Sequence, residues 1–310
     1  MIEFVPVVIA FTPNYFIPAA TCLHSMFENM EQVRRIHVIC LLSEELPPQL
    51  KEKIQLIGGE RAQYSFVNLE GRLQDIYVDA KYTEAASYRL LLPDLLPEYD
   101  KVIYIDCDVI VRNDLAELYH SIDLGNNYLA AVFEAPLDFQ TERFKAIGCN
   151  PMQYINSGFL IMNLELMRRD GMVKKFLEAS KKEYLEFPDQ DVLNQLCKGR
   201  IIGLPPYYNA IRTFYLPQYK SLFLRKYTEQ DWIDIHRHGT VHYTGAKPWN
   251  HFTVEFLLWW RYYELLPMEV KKEWKVNKRM YLLFRFGKSF LGNYLINTTQ
   301  FLYRKLKYGC

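Results

Sequence analysis

The run KVIYIDCDVIV, residues Lys101–Val111, decides how this chain is read. An apolar strand halts at one carboxylate, Asp106, passes Cys107, and meets a second, Asp108, before turning apolar again. Residues i and i+2 of an extended chain point the same way. Asp106 and Asp108 can therefore converge on one hard cation such as Mg²⁺ or Mn²⁺, which favours carboxylate oxygens. If that cation also holds a diphosphate, it neutralises charge on a leaving group. An isolated pair of this kind equally fits a strand-end turn with solvated carboxylates.

Outward from this run, short apolar segments alternate with helical patterns. Toward the N-terminus, Val5–Phe11, Ile36–Leu42 and Tyr64–Leu69 read as strands, with Val102–Ile105 the fourth. Ile17–Phe27, Pro48–Ile57 and Ala85–Leu96 carry helical spacing between them. That alternation predicts βαβ units and an α/β fold with a mostly parallel central sheet flanked by helices. Ligands of such sheets bind beyond the carboxyl ends of the strands, where Asp106 and Asp108 stand. Toward the C-terminus, Tyr128–Phe133, Phe159–Met162 and Arg200–Leu204 read as strands, Leu164–Tyr184 as a long helix and Asp191–Cys197 as a short one. The Pro- and Tyr-rich Leu204–Lys220 reads as a loop suited to lining a cleft.

The 310 residues are half apolar and a quarter charged, enough for a sizeable core and unlike a disordered or collagen-like chain. The formal charge of +1 excludes a globally basic nucleic-acid binder, so no nucleic-acid partner is expected. Ten Lys/Arg face one acid from Lys271 to Cys310, a +9 tail on a body of −8. The six cysteines are scattered without a C-x-x-C pair, which argues against a disulfide framework or a zinc knuckle. MIEFVPVVIAF lacks a basic leader and reads as a core strand, and no 18-residue apolar stretch exists. A cytoplasmic protein is expected.

Two further motifs carry polar chemistry. In Pro188-Asp189-Gln190-Asp191-Val192-Leu193-Asn194, Asp and Gln suit sugar hydroxyls, the former accepting and the latter doing both. A helix N-cap explains the acids as well. In Val241-His242-Tyr243-Thr244-Gly245-Ala246-Lys247-Pro248-Trp249, a strand-end His can ligate a metal while Lys247 reaches a phosphate. A surface loop with a satisfied histidine is the other reading. The pair His236 and His238 reads as solvated or structural. The three motifs together suit one task, holding a metal, a diphosphate and a polyhydroxylated group. No P-loop, nucleophile elbow, G-x-G-x-x-G or H-E-x-x-H competes with them.

From about Val5 to Trp249 these motifs, in this order, resemble family 8 retaining glycosyltransferases, which include bacterial lipopolysaccharide galactosyl- and glucosyltransferases and glycogenin. The resemblance implies a GT-A fold, Mn²⁺ (or Mg²⁺) and a UDP-sugar donor, UDP-glucose or UDP-galactose, transferred with retention to a glycan or glycolipid acceptor. It also implies surface-glycan synthesis, in lipopolysaccharide or another polysaccharide. By motif match, Asp106, Asp108 and His242 are similar to the metal ligands, with Cys107 between them, and Lys247, after Gly245, to the diphosphate contact. Arg89 resembles the arginine beside the donor phosphates and sugar. Asn156, Ser157, Asp189, Gln190 and Asp191 resemble the residues around the sugar and anomeric carbon, the last three being the candidate catalytic group. Ala10, Thr12, Asn14 and Tyr15 belong to a stretch similar to the uridine-binding first loop. Thr12-Pro13 stands where relatives commonly carry acidic residues, and the Gly245–Lys247 segment is one residue shorter than in many of them. A non-catalytic scaffold of the same fold and a sugar nucleotidyltransferase are the alternatives. The latter calls for a Gly-rich basic loop that Thr12-Pro13-Asn14-Tyr15 does not supply.

The expected domain is 1–266, with a nucleotide-binding half at about 1–125 and an acceptor-side half at about 126–266. A basic amphipathic tail, 267–310, follows. Between Arg279 and Lys307, Arg285, Ser289, Asn293, Asn297, Gln300, Arg304 and Lys307 recur every three or four positions, while Phe286, Phe290, Tyr294, Phe301 and Leu302 fall on another face. That pattern suits an anionic membrane surface through 271–310, on the inner face of a bacterial cytoplasmic membrane. A C-terminal helix packed on the body fits it too.

Overall fold

A computed structural model of the chain describes residues 4–73, 76–77, 83–182, 185–296 and 298. Among the described residues the strands run β1 (Val5–Phe11), β2 (Ile36–Leu42), β3 (Ala62–Asn68), β4 (Lys101–Asp106), β5 (Val109–Ile110), β6 (Leu129–Phe133), β7 (Ile155–Asn163), β8 (Ile201–Gly203), β9 (Ala210–Ile211) and β10 (Val241–His242). Seven form one sheet in the order β3-β2-β1-β4-β7-β6-β8, and β5, β10 and β9 form a small second sheet.

All seven residues of β1 are buried, as expected of a strand covered on both faces. Its side chains alternate between layers. Val5, Val7, Ile9 and Phe11 pack with the helix Phe16–Glu28, while Val8 and Ala10 join Tyr88, Tyr104 and Leu160 on the opposite face. β4 divides the same way, with Ile103 and Ile105 on one side and Val102 and Tyr104 on the other.

Two pairings place the site. β7 runs antiparallel to β4, with Lys101 opposite Asn163 and Ile105 opposite Phe159. Its first residues, Asn156, Ser157 and Gly158, thus lie beside the carboxyl end of β4. In the small sheet β10 pairs antiparallel with β5, and His242 stands opposite Val109, one residue past Asp108.

The helices depart from expectation at identifiable residues. Ala85–Leu96 is a 3₁₀ stretch, Glu84–Leu91, followed by a short α-turn, Leu92–Leu95, where Pro93 occupies the first turn. Leu164–Tyr184 is two helices, Leu164–Arg169 and Met172–Ala179, because Gly171 takes φ +62° between them. Residues 183 and 184 lie outside the described residues. Pro188 starts the helix Pro188–Leu196 three residues before the expected Asp191, its fixed φ suiting the first helical position. Leu204–Lys220 contains β9 and three 3₁₀ turns.

At the expected tail boundary the chain turns at Pro267 and stays on the body as far as Lys288. In the helix Lys278–Lys288, Tyr281 and Phe284 pack against Trp260, which also meets Trp274. Glu264 accepts from Tyr281 Oη at 3.2 Å and from Lys288 at 2.6 Å, and Glu273 pairs with Lys53. Leu282, Phe286, Phe290, Leu291 and Tyr294 remain exposed, Phe290 at 93%. Asn297, Gln300 and residues 301–310 of the predicted amphipathic pattern lie outside the described residues.

Candidate active site

The turn Asp106-Cys107-Asp108 and the end of β10 bring Asp106, Asp108 and His242 together, with one ligand atom of each within 4.8 Å of the others. His242 Nε2 is 3.4 Å from Asp108 Oδ1 and 3.7 Å from Asp106 Oδ2. The opposite ring nitrogen, Nδ1, lies 3.0 Å from Asn209 Oδ1. Two carboxylates and an imidazole nitrogen make a mixed oxygen–nitrogen set suited to a divalent ion such as Mn²⁺. The surroundings are shaped to the set. A Cβ on Gly158 would stand 2.2 Å from His242 Cε1 and 2.7 Å from Asp106 Oδ2, so only glycine fits there.

Two compartments meet at these carboxylates. One, of about 380 Å³, is lined by Ala10, Phe11, Thr12, Tyr15, Cys107 and Lys247. Tyr15 sits edge-on to Trp249, and burial pushes its hydroxyl above the usual phenol range. The other, of about 430 Å³, is lined by Asn156, Ser157, Asp189, Gln190 and Glu134, with Ile211 and Thr213 from the segment read as a cleft loop. Arg89, Asp106, Asp108, Gly245 and Lys247 border both. Asn14 is exposed and lines neither.

Arg89 is a buried clamp, 2% exposed. It donates to Asp106 Oδ1 at 2.8 Å, pairs with Asp189 Oδ2 at 3.2 Å, bonds the Ser157 carbonyl and stacks over the Tyr104 ring. Burial disfavours its charge, yet Asp106 and Asp189 hold its pKa above the ordinary value. Its charge is thus spent on these two carboxylates. Lys247 donates to Asp108 and to the Tyr243 carbonyl. Burial opposes charge on Asp108, but Lys247 and His242 overcome it and hold the carboxyl well below the usual range.

The wall of the second compartment is a network of amides and carboxylates. Ser157 N–H donates to Gln190 Oε1 at 3.0 Å, and Ser157 Oγ to Asp189 Oδ2 at 2.9 Å. Asn156 Nδ2 donates to Gln190 Oε1 and Glu134 Oε1, both at 3.2 Å. Gln190 Nε2 donates to Glu134 Oε1 at 3.3 Å and to Tyr154 Oη at 3.2 Å. Burial pushes the carboxyls of Glu134 and Asp189 up, Asp189 despite Arg89.

Asp191 does not share this cavity. It is 0% exposed, and its carboxylate accepts from Tyr154 Oη at 2.5 Å, from Arg143, and from the N–H groups of Glu186 and Phe187. It is not the helix N-cap, which is Phe187 without a side-chain cap bond; from within the first turn its carboxylate reaches back to the amides that precede the helix. His236 and His238 also lie apart. His236 Nδ1 bonds the Trp232 carbonyl, and His238 contacts Asn113.

Sequence reading missed Glu134, Tyr154, Asn209 and Gly158. Gly158 stands in the motif that carries Asn156 and Ser157 but has no side chain to mark it, and the other three lie outside the motifs read from the sequence.

Residues 6–253 match the family profile described as Glycosyl transferase family 8. General stress protein A of Bacillus subtilis is 28% identical over 239 residues, 73% of this chain and 80% of the relative. A lipopolysaccharide 1,2-glucosyltransferase of Escherichia coli K12 is 32% identical over 192 residues, 59% of this chain and 54% of the relative. Among solved structures, the galactosyltransferase LgtC in complex with donor and acceptor sugar analogs superposes with a TM-score of 0.69. It is 24% identical and covers 87% of this chain and all of that one, a likeness that establishes the fold.

Proposed function

The chain belongs to glycosyltransferase family 8 and has the GT-A fold, and on that footing we propose that it transfers a hexose, glucose or galactose, from a UDP-sugar to a glycan acceptor with retention at the anomeric carbon. The observation that carries this reading is the position of Asp106, Asp108 and His242 at the junction of two compartments, one walled by an aromatic ring and Lys247, the other by hydroxyl-binding amides and carboxylates. The relative named above as a lipopolysaccharide 1,2-glucosyltransferase supports a surface-glycan acceptor.

A divalent cation at this set, Mn²⁺ or Mg²⁺, would neutralise the charge that develops on a departing diphosphate. Lys247 would add a second positive charge there, the kind of preorganised electrostatic contribution that often dominates catalysis. Ala10, Thr12 and Tyr15 would hold the nucleoside, with Cys107 beside the diphosphate. Arg89 fixes the orientation of Asp106 and Asp189, while Asp189, Asn156, Ser157 and Gln190 would bind sugar hydroxyls. A double-displacement route needs a carboxylate nucleophile. Gln190, an amide, is a poor one, and both of its polar ends are already hydrogen-bonded. The acceptor hydroxyl would therefore attack on the face that the diphosphate leaves, with Gln190 and Asp189 holding the sugar.

The exposed apolar residues of the C-terminal helix, beside Arg285 and Lys288, support contact with an anionic membrane face. Among the described residues no helix is long and apolar enough to cross a membrane. The enzymatic reading is tested by incubating the protein with each UDP-hexose and Mn²⁺ and following the sugar by proton NMR. Release of the α-anomer first supports it. Release of the β-anomer first, or a donor left intact even with lipopolysaccharide acceptors present, counts against it.

A further inference from the structure

Asn209 is fully buried, immediately before β9, between the metal-side histidine and the sugar-side amides. Its orientation follows from one group that has no choice. A backbone N–H can only donate, and Gly158 N–H points at the Asn156 side chain at 3.1 Å, so the atom it meets there is Oδ1. The Asn209 atom 2.9 Å from that same oxygen must then be its donor, Nδ2. This leaves Asn209 Oδ1 facing His242 Nδ1 at 3.0 Å, and an amide oxygen can only accept. The proton of the neutral ring therefore sits on Nδ1, and the lone pair of Nε2 faces Asp106 and Asp108.

We propose that Asn209 is a positioning residue that sets the tautomer of His242, so that Nε2 stands ready as a metal ligand, under instruction from the sugar-side strand through Asn156 and Gly158. The inference rests on the metal-dependent reading above, and it adds a physical link between the two compartments. Swapping the amide ends of Asn209 would set its NH₂ against Nδ1, force the proton onto Nε2 and remove the lone pair that a cation needs. Partners of this kind change metal affinity by roughly 10–100-fold when removed.

The test reads tautomer and affinity separately. Long-range ¹⁵N spectra of the metal-free protein under alkaline conditions, with His242 assigned by comparison with His242→Gln, should show Nδ1 protonated and Nε2 bare. Asn209→Leu should mix the tautomers and weaken Mn²⁺ binding, followed by EPR of the free ion, by roughly 10–100-fold. Asn209→Asp keeps the acceptor, though not the donor to Asn156, and should hold both the tautomer and the affinity to within a few-fold. A merely structural asparagine would give the opposite ranking, since the charged substitute is the harsher one in a buried site. A wild-type ring protonated on Nε2 overturns the inference outright, whether or not Asn209→Leu folds. So does Asp108-dependent Mn²⁺ binding left unchanged by Asn209→Leu. The expected tautomer, coupled with no Mn²⁺ binding that Asp108→Ala abolishes, would instead overturn the metal-dependent reading.

Discussion

Lys247 reaches back across the cleft to bond the carboxylate of Asp108, a residue 139 positions earlier, and anchors itself on the Tyr243 carbonyl with the same ammonium group. The lysine therefore neutralises the carboxylate that a cation would need. In the proposed function a diphosphate would meet both.

Metal and nucleotide should consequently respond to this lysine with opposite signs. Without nucleotide, Lys247→Met frees Asp108 and should tighten Mn²⁺ binding by at least about fivefold, because unit charges about 4 Å apart interact by about 1 kcal/mol in water and about 4 kcal/mol near a protein surface. With saturating Mn²⁺, the same variant should bind UDP about tenfold more weakly, having lost a charge-assisted contact. Titrations of the two ligands check this, and a parallel loss of both would argue against it.

Arg89 should matter to stability before it matters to chemistry. Its guanidinium is shared by Asp106 and Asp189, and Arg89→Met would leave both carboxylates without it. Breaking a buried pair by removing one partner costs about 3–5 kcal/mol, and denaturant unfolding at neutral pH should show a loss of that order. The deficit should shrink as pH falls through the raised value of Asp189, above the ordinary aspartate range, where the protonated acid no longer needs the partner.

Glu134 gives a pH dependence with a definite sign. Burial raises its folded pKa, so the folded state favours the protonated acid. Its contribution is fully present below the unfolded value of about 4.3 and is lost as pH rises through the raised folded value. Glu134→Gln mimics the protonated form and still accepts from Asn156 and Gln190. It should be more stable than the wild type at neutral pH, with the difference vanishing below about pH 4. A difference independent of pH would show that the carboxyl does not titrate in this way.

Membrane contact should depend on the chain beyond Ser289 rather than on the whole basic tail. Trp274, Tyr281 and Phe284 are packed on the body, so removal from Lys271 would strip a covering from Trp260. Deletion of 290–310 removes Phe290, Leu291, Tyr294 and three of the tail's basic residues while sparing that packing. Co-sedimentation with phosphatidylglycerol vesicles should fall at least tenfold. Retained sedimentation would place the contact elsewhere.

Much of the architecture was legible because it is local. The apolar runs of β1, β2 and β4 need no partner to be recognised, and Asp106 and Asp108 announce themselves at the end of one of them. What the chain hides are consequences of pairing. Nothing near Gly158 in the sequence says that β7 runs antiparallel to β4, yet that direction presses its backbone against His242. Asn209 looks like any polar residue in a Tyr- and Pro-rich loop until β9 and β10 align beside it. Asp191 shows the converse. It sits in the same short motif as Gln190, but one residue along a helix turns its side chain by about 100°, into Arg143 and Tyr154 and away from the cavity.

The central claim is that Asp106, Asp108 and His242 bind a divalent cation through which a UDP-sugar is held. Calorimetric titration of UDP-glucose and UDP-galactose, each with and without Mn²⁺, into wild type and Asp108→Ala tests it most directly. Binding of one donor that requires the metal and disappears in the variant is the predicted result, and it also identifies the hexose. Donor binding of equal strength without metal, or undiminished in Asp108→Ala, would contradict the claim.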